Sequence, residues 1–257
     1  MDVLTRALAR TPPNNFATGI TTAQLGTPVF DSAIAQHTRY CDALRGLGLE
    51  IMLLAADPKY PDSAFVEDAA VVVGSRAIIT RPGAARRRGE TAAVRDALAR
   101  FAVALDEVEE PGTVDGGDVC DAEDRAFIGL SHRTNRNGAE QIASWFSAQG
   151  KPASIVDIRD LSILHLKSGM ASLGNGCFAV VAELTPRLDL DASAIVGVTP
   201  AEASAANCVR INGVVLIAAG YPRLQRELER RGFETQPLDV SEFAKMDGGL
   251  SCLSIRF

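Results

Sequence analysis

The sequence predicts a mixed α/β fold in which five ββα-like modules surround one axis. Three observations predict it. Short apolar runs alternate with charged, amphipathic stretches bounded by Gly or Pro. Two of the connections between paired runs are Asn-Gly, at Asn175-Gly176 and Asn212-Gly213, where both residues tolerate the positive φ of a tight hairpin. Turns recur near residues 75, 123, 175 and 213, a spacing of roughly 40 to 50 residues that reads as a repeat. An open α/β sheet with irregular hairpins is the alternative that the same pattern permits.

The elements follow in chain order. Val3–Ala9 reads as a strand, and pairing it with a C-terminal strand over Leu250–Ile255 makes a fifth unit that closes the ring. Asp31–Leu47 is charged and amphipathic and predicts the first helix. Ala69–Val73 turns at Gly74-Ser75-Arg76 into Ala77–Thr80, and a helix is expected over Gly89–Leu105. Asp118–Cys120 turns through Ala122–Asp124 into Ala126–Leu130, ahead of a helix over Asn137–Gln149. Gly169–Leu173 pairs with Phe178–Val181, and Cys208–Ile211 with Val214–Ala218, through the two Asn-Gly turns. A last helix is expected over Pro222–Arg231. The Pro-rich spots at Pro12-Pro13 and Pro58–Pro61 are too short to be linkers, so a single domain over residues 1–257 is expected.

Composition narrows the function classes. With 257 residues, 47% hydrophobic and 23% charged, the chain can build a core without staples and is not of the disordered kind. A net charge of −6 argues against nucleic-acid binding, which needs a basic face to neutralise phosphates. The five cysteines, at 41, 120, 177, 208 and 252, are odd in number and scattered, and no CxxC or CxxH spacing supports a zinc site. Met1–Arg10 carries Asp2, Arg6 and Arg10 and does not read as a signal peptide. The apolar run Val214–Ala219 falls far short of the ~20 residues a membrane span needs. A reducing, cytoplasmic setting is expected, with no membrane partner, and self-association as a homodimer is left open.

Each module places polar residues beside a strand. Asp62, Glu67 and Asp68 precede the first hairpin, Asp115-Gly116-Gly117-Asp118 the second, and Leu164-His165-Leu166-Lys167-Ser168 the third. Asp247-Gly248-Gly249-Leu250-Ser251-Cys252 opens the final strand. The glycine pairs permit close backbone approach or positive φ beside a pocket. Cys252 alone is ordinarily a small buried hydrophobe, and His165, on a strand between Leu164 and Leu166, an ordinary core or surface residue. Together they can form an activated nucleophile with an acid/base partner. Glu67, Asp68 and Asp115 in one pocket repel one another, and a cationic ligand removes that cost. A planar guanidinium matches carboxylates in bidentate fashion. One arginine of the run Arg86-Arg87-Arg88, with Arg133 as a second, can hold a carboxylate. Acids for a guanidinium, arginines for a carboxylate and a thiol between them describe attack on an arginine-like amino acid.

Six stretches then carry a resemblance over nearly the whole chain, in order: Pro61–Asp68, Ile79–Gly83 with the arginines that follow, Gly129–Asn135, Leu164–Ser168, Ala206-Asn207-Cys208 and Asp247–Cys252. The chain resembles the dimethylarginine dimethylaminohydrolases of the guanidino-group-modifying superfamily. The resemblance implies the pentein fold, a five-bladed α/β propeller about a central active-site cavity. It implies hydrolysis of Nω-methylated L-arginines to L-citrulline and methylamine or dimethylamine, with neither metal nor organic cofactor. It further implies Cys252 as nucleophile, His165 as general acid/base and Asp115 as the acid that positions the histidine. Glu67 and Asp68 match guanidinium contacts, Arg87 and Arg133 α-carboxylate contacts, and Asp62 an α-amino contact. Ile20 matches a leucine in a mobile lid, and Met246 a position whose backbone carbonyl receives the α-amino group. Asp115 stands where some members carry Glu, a longer arm. An arginine deiminase-like enzyme, an amidinotransferase and a non-catalytic arginine-binding protein are the rival readings.

Overall fold

The computed structural model describes residues 3–101 and 104–257. Among them the strands are β1 (Arg6–Arg10), β2 (Glu50–Leu54), β3 (Ala70–Val73), β4 (Arg76–Ile79), β5 (Ala104–Glu107), β6 (Val119–Ala122), β7 (Arg125–Leu130), β8 (Ala153–Asp157), β9 (Met170–Gly174), β10 (Cys177–Val181), β11 (Ile195–Val198), β12 (Val209–Ile211), β13 (Val214–Ala218), β14 (Glu234–Leu238) and β15 (Ser254–Arg256). They form five three-stranded sheets of one design, β15-β1-β2, β3-β4-β5, β6-β7-β8, β9-β10-β11 and β12-β13-β14. In each, an antiparallel pair is followed by a crossover to a third strand parallel to the middle one. Parallel neighbours need such a crossover. It is helical in four modules: α1 (Phe30–Gly46), α2 (Thr91–Ala99), α3 (Arg136–Ser147) and, in the β13–β14 module, Pro222–Arg230. Between β10 and β11 the described residues carry only short 3₁₀ turns, at Thr185–Arg187 and Ala192–Ala194.

The modules are therefore ββαβ, one strand longer than the repeat pattern indicates. The added strands were hidden because they lie at sheet edges, half exposed and without clean alternation, as in Glu50-Ile51-Met52-Leu53-Leu54. The Asn-Gly hairpins form as expected, with φ of 53° and 70° at Asn175-Gly176 and 46° and 103° at Asn212-Gly213. Closure by the two end strands also forms, with Ala7 opposite Arg256, Leu8 opposite Ile255 and Ala9 opposite Ser254. The helix expected over Gly89–Leu105 is shorter. It ends at Ala99, and Ala104–Glu107 instead pairs with β4 as a strand, while Ala102 and Val103 lie outside the described residues.

A second repeat lies at the centre. Just before the first strand of each antiparallel pair the chain makes a helical turn, at Val66–Ala69, Gly116–Asp118, Leu166–Gly169, Pro200–Ala206 and Ser251–Leu253. These turns touch one another around the axis. Apolar side chains fill the spaces outside it, between sheets and helices. One cluster, Phe16, Phe65 and Phe243, packs with ring centroids 5.4 to 6.3 Å apart below the segment that begins at Gly19. No helix among the described residues is long and apolar enough to cross a membrane.

Candidate active site

The candidate residues lie on the central turns or beside them. Two secondary-structure expectations change here. His165 does not sit on a strand but at the N-terminal end of the turn Leu166–Gly169, and Cys252 sits in the turn Ser251–Leu253 that precedes β15.

Asp115 is fully buried and precedes the Gly116–Asp118 turn. Its Oδ2 lies 3.1 Å from His165 Nε2, and its Oδ1 accepts the Gly83 N–H at 2.9 Å. Asp68 Oδ1 accepts the Gly117 N–H at 3.0 Å, and Oδ2 accepts from Arg87 Nη1 at 2.6 Å. One ligand atom from each of Asp68, Asp115 and His165 lies within 4.8 Å of the other two. Neither glycine of the Gly116-Gly117 pair adopts a positive φ, so close approach is what selects them. A Cβ at Gly117 would stand 2.7 Å from His165 Nδ1, and one at Gly116 would stand 2.1 Å from the Glu67 carbonyl oxygen.

Burial disfavours a charged His165, but the carboxylates of Asp68, Asp118 and Asp115 outweigh it and lift its pKa to about 9. Burial likewise opposes the Asp115 anion, and the bond to His165, the His165 charge and Arg87 more than compensate, holding its carboxyl below the usual range. Cys252 keeps partial solvent access. Burial, followed by the Glu67 and Asp68 charges, pushes its thiol up to about 12, against the opposing Gly249 N–H and Lys167. Without a ligand the site therefore holds a protonated thiol and an imidazolium at neutral pH.

The expectation of carboxylates that wait for a cation is only partly met, because resident cations already serve two of them. Glu67 is buried with both oxygens engaged. Oε1 meets Lys167 Nζ at 2.7 Å and Arg256 Nη2 at 2.8 Å, and Oε2 accepts from Ser251 Oγ at 2.6 Å. It braces the turn that carries Cys252. Arg87, the buried member of its charge run, is held by Asp68, by Glu90 through both oxygens and by the Asp62 and Phe65 carbonyls. Arg133 differs. Its Nη1 pairs with Asp115 Oδ2 at 3.8 Å and makes no hydrogen bond, so Arg133 is the more loosely held of the two arginines.

At the rim, Asp62 Oδ1 accepts the Ile20 N–H at 2.8 Å, so the expected α-amino contact here anchors the chain segment expected as a lid. Met246 is buried, with its Cε close to the Gly19 backbone. Thr22 donates its N–H to Asp247 Oδ2 at 2.5 Å, and Asp247 takes a left-handed φ of 59°. An axial cavity of about 490 Å³ is lined by the innermost strands and by Glu67, Lys167, Ser251 and Arg256. Cys252, His165, Asp68 and Asp115 are not part of its wall, so the braces around Glu67 stand between it and these candidate residues.

Known proteins place this arrangement. The family model described as "N,N dimethylarginine dimethylhydrolase, eukaryotic" matches residues 9–203. A Pseudomonas aeruginosa protein named N(G),N(G)-dimethylarginine dimethylaminohydrolase is 38% identical over 251 residues, covering 97% of this chain and 98% of its own. The chain belongs to the dimethylarginine dimethylaminohydrolase family. A Streptomyces coelicolor protein of the same name is 37% identical over 253 residues, covering 98% of this chain and 96% of its own. The solved Pseudomonas aeruginosa enzyme, a cysteine-to-serine variant in complex with citrulline, superposes with a TM-score of 0.96 at 37% identity, each chain fully covered. The N-terminal domain of the arginine dihydrolase ArgZ superposes at 0.87 with 20% identity over 99% of this chain and 97% of its own, sharing the pentein fold.

Several residues around this candidate site are not singled out by the sequence. Asp118 accepts from Ser131 and Thr134 hydroxyls at 2.6 Å each and from the Leu166 N–H at 2.9 Å, tying the His165 turn to the Asp115 turn. Burial raises its carboxyl to about 6 despite these donors. The Asp115-Gly116-Gly117-Asp118 spacing was the available signal, since Asp118 recurs three residues after Asp115 at the end of the same turn. Lys167 stood within the Leu164–Ser168 stretch, and for Glu90 and Arg256 the sequence held no signal.

Proposed function

We propose that this protein hydrolyses Nω-methylated L-arginines to L-citrulline and dimethylamine or methylamine through a covalent thiouronium on Cys252. The observation that carries the reading is His165, held as a cation by carboxylates on the same ring of turns as Cys252. An imidazolium is an acid suited to an amine leaving group. The family membership and the citrulline complex of the Pseudomonas aeruginosa enzyme support the same substrate class.

The residues act as follows. A substrate guanidinium beside Cys252 offsets the Glu67 and Asp68 charges that hold the thiol protonated, and the thiol proton leaves to solvent. The sulfur bonds to the guanidinium carbon. The bond from that carbon to the methylated nitrogen breaks, and His165 gives its proton to the departing amine. Neutral His165, oriented by Asp115, then takes a proton from water as the water oxygen bonds to the thiouronium carbon. The C–S bond breaks, the remaining proton of the attacking water passes to the leaving sulfur, and neutral citrulline departs with the thiol restored. Asp68 faces the guanidinium, Arg133, whose Nη1 makes no hydrogen bond, and Arg87 face the α-carboxylate, and Asp62 with the Met246 carbonyl faces the α-amino group. Ile20 closes over the site and excludes bulk water. In this reading Glu67 acts from behind the Cys252 turn.

The whole chain serves as one catalytic domain in this proposal, since all five modules supply residues near the axis. Its setting is cytoplasmic, as the scattered thiols indicate, and a second copy of the chain is its macromolecular partner candidate, which sedimentation of purified protein tests. The deciding assay is citrulline release from asymmetric dimethyl-L-arginine and from L-arginine, by wild type and Cys252→Ser, with EDTA present. Release from the methylated substrate, absent in the variant, is expected. Turnover of arginine alone moves the protein to the deiminase side, and silence on both substrates overturns the reading.

A further inference from the structure

Asn207 ends the turn Pro200–Ala206, the one central turn to which the chemistry above assigns no residue. Its side chain is buried and uses both ends of its amide. Oδ1 accepts the Ser251 N–H at 2.9 Å, while Nδ2 donates to the Lys167 carbonyl at 2.9 Å and to Ser251 Oγ at 3.0 Å. The amide orientation is fixed by chemistry, because a backbone N–H only donates and a carbonyl only accepts. Lys167 lies two residues after His165, and Ser251 directly precedes Cys252. One planar group thus spans the turns of the acid/base and of the nucleophile.

Two further contacts bring the amide to the thiol. A Cβ at Gly249 would stand 2.4 Å from Asn207 Oδ1, so the Gly249 backbone rests against this side chain. The Gly249 N–H in turn donates to Cys252 Sγ at 3.4 Å. The same amide also completes a closed circuit drawn from four modules. Lys167 bonds to Asn207, Asn207 to Ser251, Ser251 to Glu67 and Glu67 back to Lys167.

We propose that Asn207 is a positioning residue, fixing the distance between the Cys252 and His165 turns and seating the Gly249 N–H on the sulfur. The inference rests on the reading that Cys252 and His165 are the reacting pair. Misplacing two reacting groups by about 1 Å costs about 10²-fold in turnover. Asn207→Asp keeps the shape but sets an oxygen against the Lys167 carbonyl, and Asn207→Ala removes both bonds without adding charge.

The test compares wild type, Asn207→Asp, Asn207→Ala and Ser251→Ala. It measures turnover of asymmetric dimethyl-L-arginine, alkylation of the Cys252 peptide by iodoacetamide across pH, and thermal unfolding. The expected result is kcat lower by about 10²-fold in both Asn207 variants, with KM within about threefold. In Asn207→Ala the onset of Cys252 alkylation moves to higher pH, as the Gly249 N–H no longer opposes Glu67 and Asp68 and only Lys167 remains. Asn212→Ala, which loses bonds to the Leu4 and Leu47 carbonyls away from the site, lowers stability but leaves kcat and the alkylation profile unchanged. Folded Asn207 variants with wild-type kcat and an unshifted alkylation profile overturn the proposal. If neither Asn207 variant folds, Ser251→Ala decides it. About tenfold lower kcat at unchanged KM supports the proposal, and wild-type kinetics overturns it. A wild type that releases no citrulline defeats the proposed function instead, and the alkylation comparison still reads the seating of Cys252.

Discussion

The floor and the roof of the site are built from the same kind of bond and work in opposite ways. In the floor, Glu67 meets Lys167, Arg256 and Ser251 at 2.6 to 2.8 Å, with its carboxylate buried. In the roof, Asp62 accepts the Ile20 N–H at 2.8 Å and Asp247 the Thr22 N–H at 2.5 Å, in a segment whose residues from Thr21 to Thr27 are mostly exposed. Asp62 is as buried as Glu67, so the difference lies in the partners. The roof carboxylates hold backbone N–H groups of a largely exposed segment, whereas the floor carboxylate is paired with side-chain cations whose loss leaves a buried charge uncompensated. The floor is thereby preorganised, while the roof rests on two backbone donors of one largely exposed segment.

The sharpest break in this contrast is Glu67→Ala. It strands Lys167 and Arg256 in the floor and is expected to cost about 3–5 kcal/mol of stability, read by urea unfolding. Next comes pH. The His165 pKa, about 9 in the fold against an ordinary value near 6.5, means that its charge supports the fold fully below pH 6.5. That support, on the order of a few kcal/mol, drains away as pH rises through 9. Turnover limited by the imidazolium proton falls only around pH 9 and above, so a pH series of melting curves should begin to decline before the pH–rate profile does. Asp62→Asn acts on the roof and removes charge but not shape. It is expected to raise KM about tenfold at nearly unchanged kcat, a loss of binding common to ground and transition states, checked by steady-state kinetics. The smallest effect belongs to Asp247→Ala, under about 1 kcal/mol in unfolding, yet amide exchange at Ile20 and Thr22 should quicken. Equal stability losses for Glu67→Ala and Asp247→Ala would erase the distinction.

How much of this was legible in the sequence divides along physical lines. The hairpins were, because Asn175-Gly176 and Asn212-Gly213 signal positive φ locally. Ring closure was, because the terminal strands each lacked a partner. The candidate residues that meet near the axis stood in legible motifs, and the Gly116-Gly117 and Gly248-Gly249 pairs were legible as places of close approach, the latter against Phe65 and Asn207. The local conformation at His165 and Cys252 was not, since one helical turn is too short to show a period. Nor were the cations that neutralise the floor. Arg256 reaches Glu67 across 189 residues of chain, and no local pattern tells which of 26 basic side chains will arrive at a buried carboxylate.

The five central turns carry one last consequence. The backbone presents the same slot five times, and the chain fills the slots unequally, with a carboxylate pair, an acid ahead of two glycines, an imidazole, an amide and a thiol. Symmetry of the frame and asymmetry of its contents coexist because each slot is written by a separate stretch of sequence. Such a frame works like a short alphabet with five letters in fixed places. New chemistry on it requires respelling one letter, while the neighbouring turns keep the word in register.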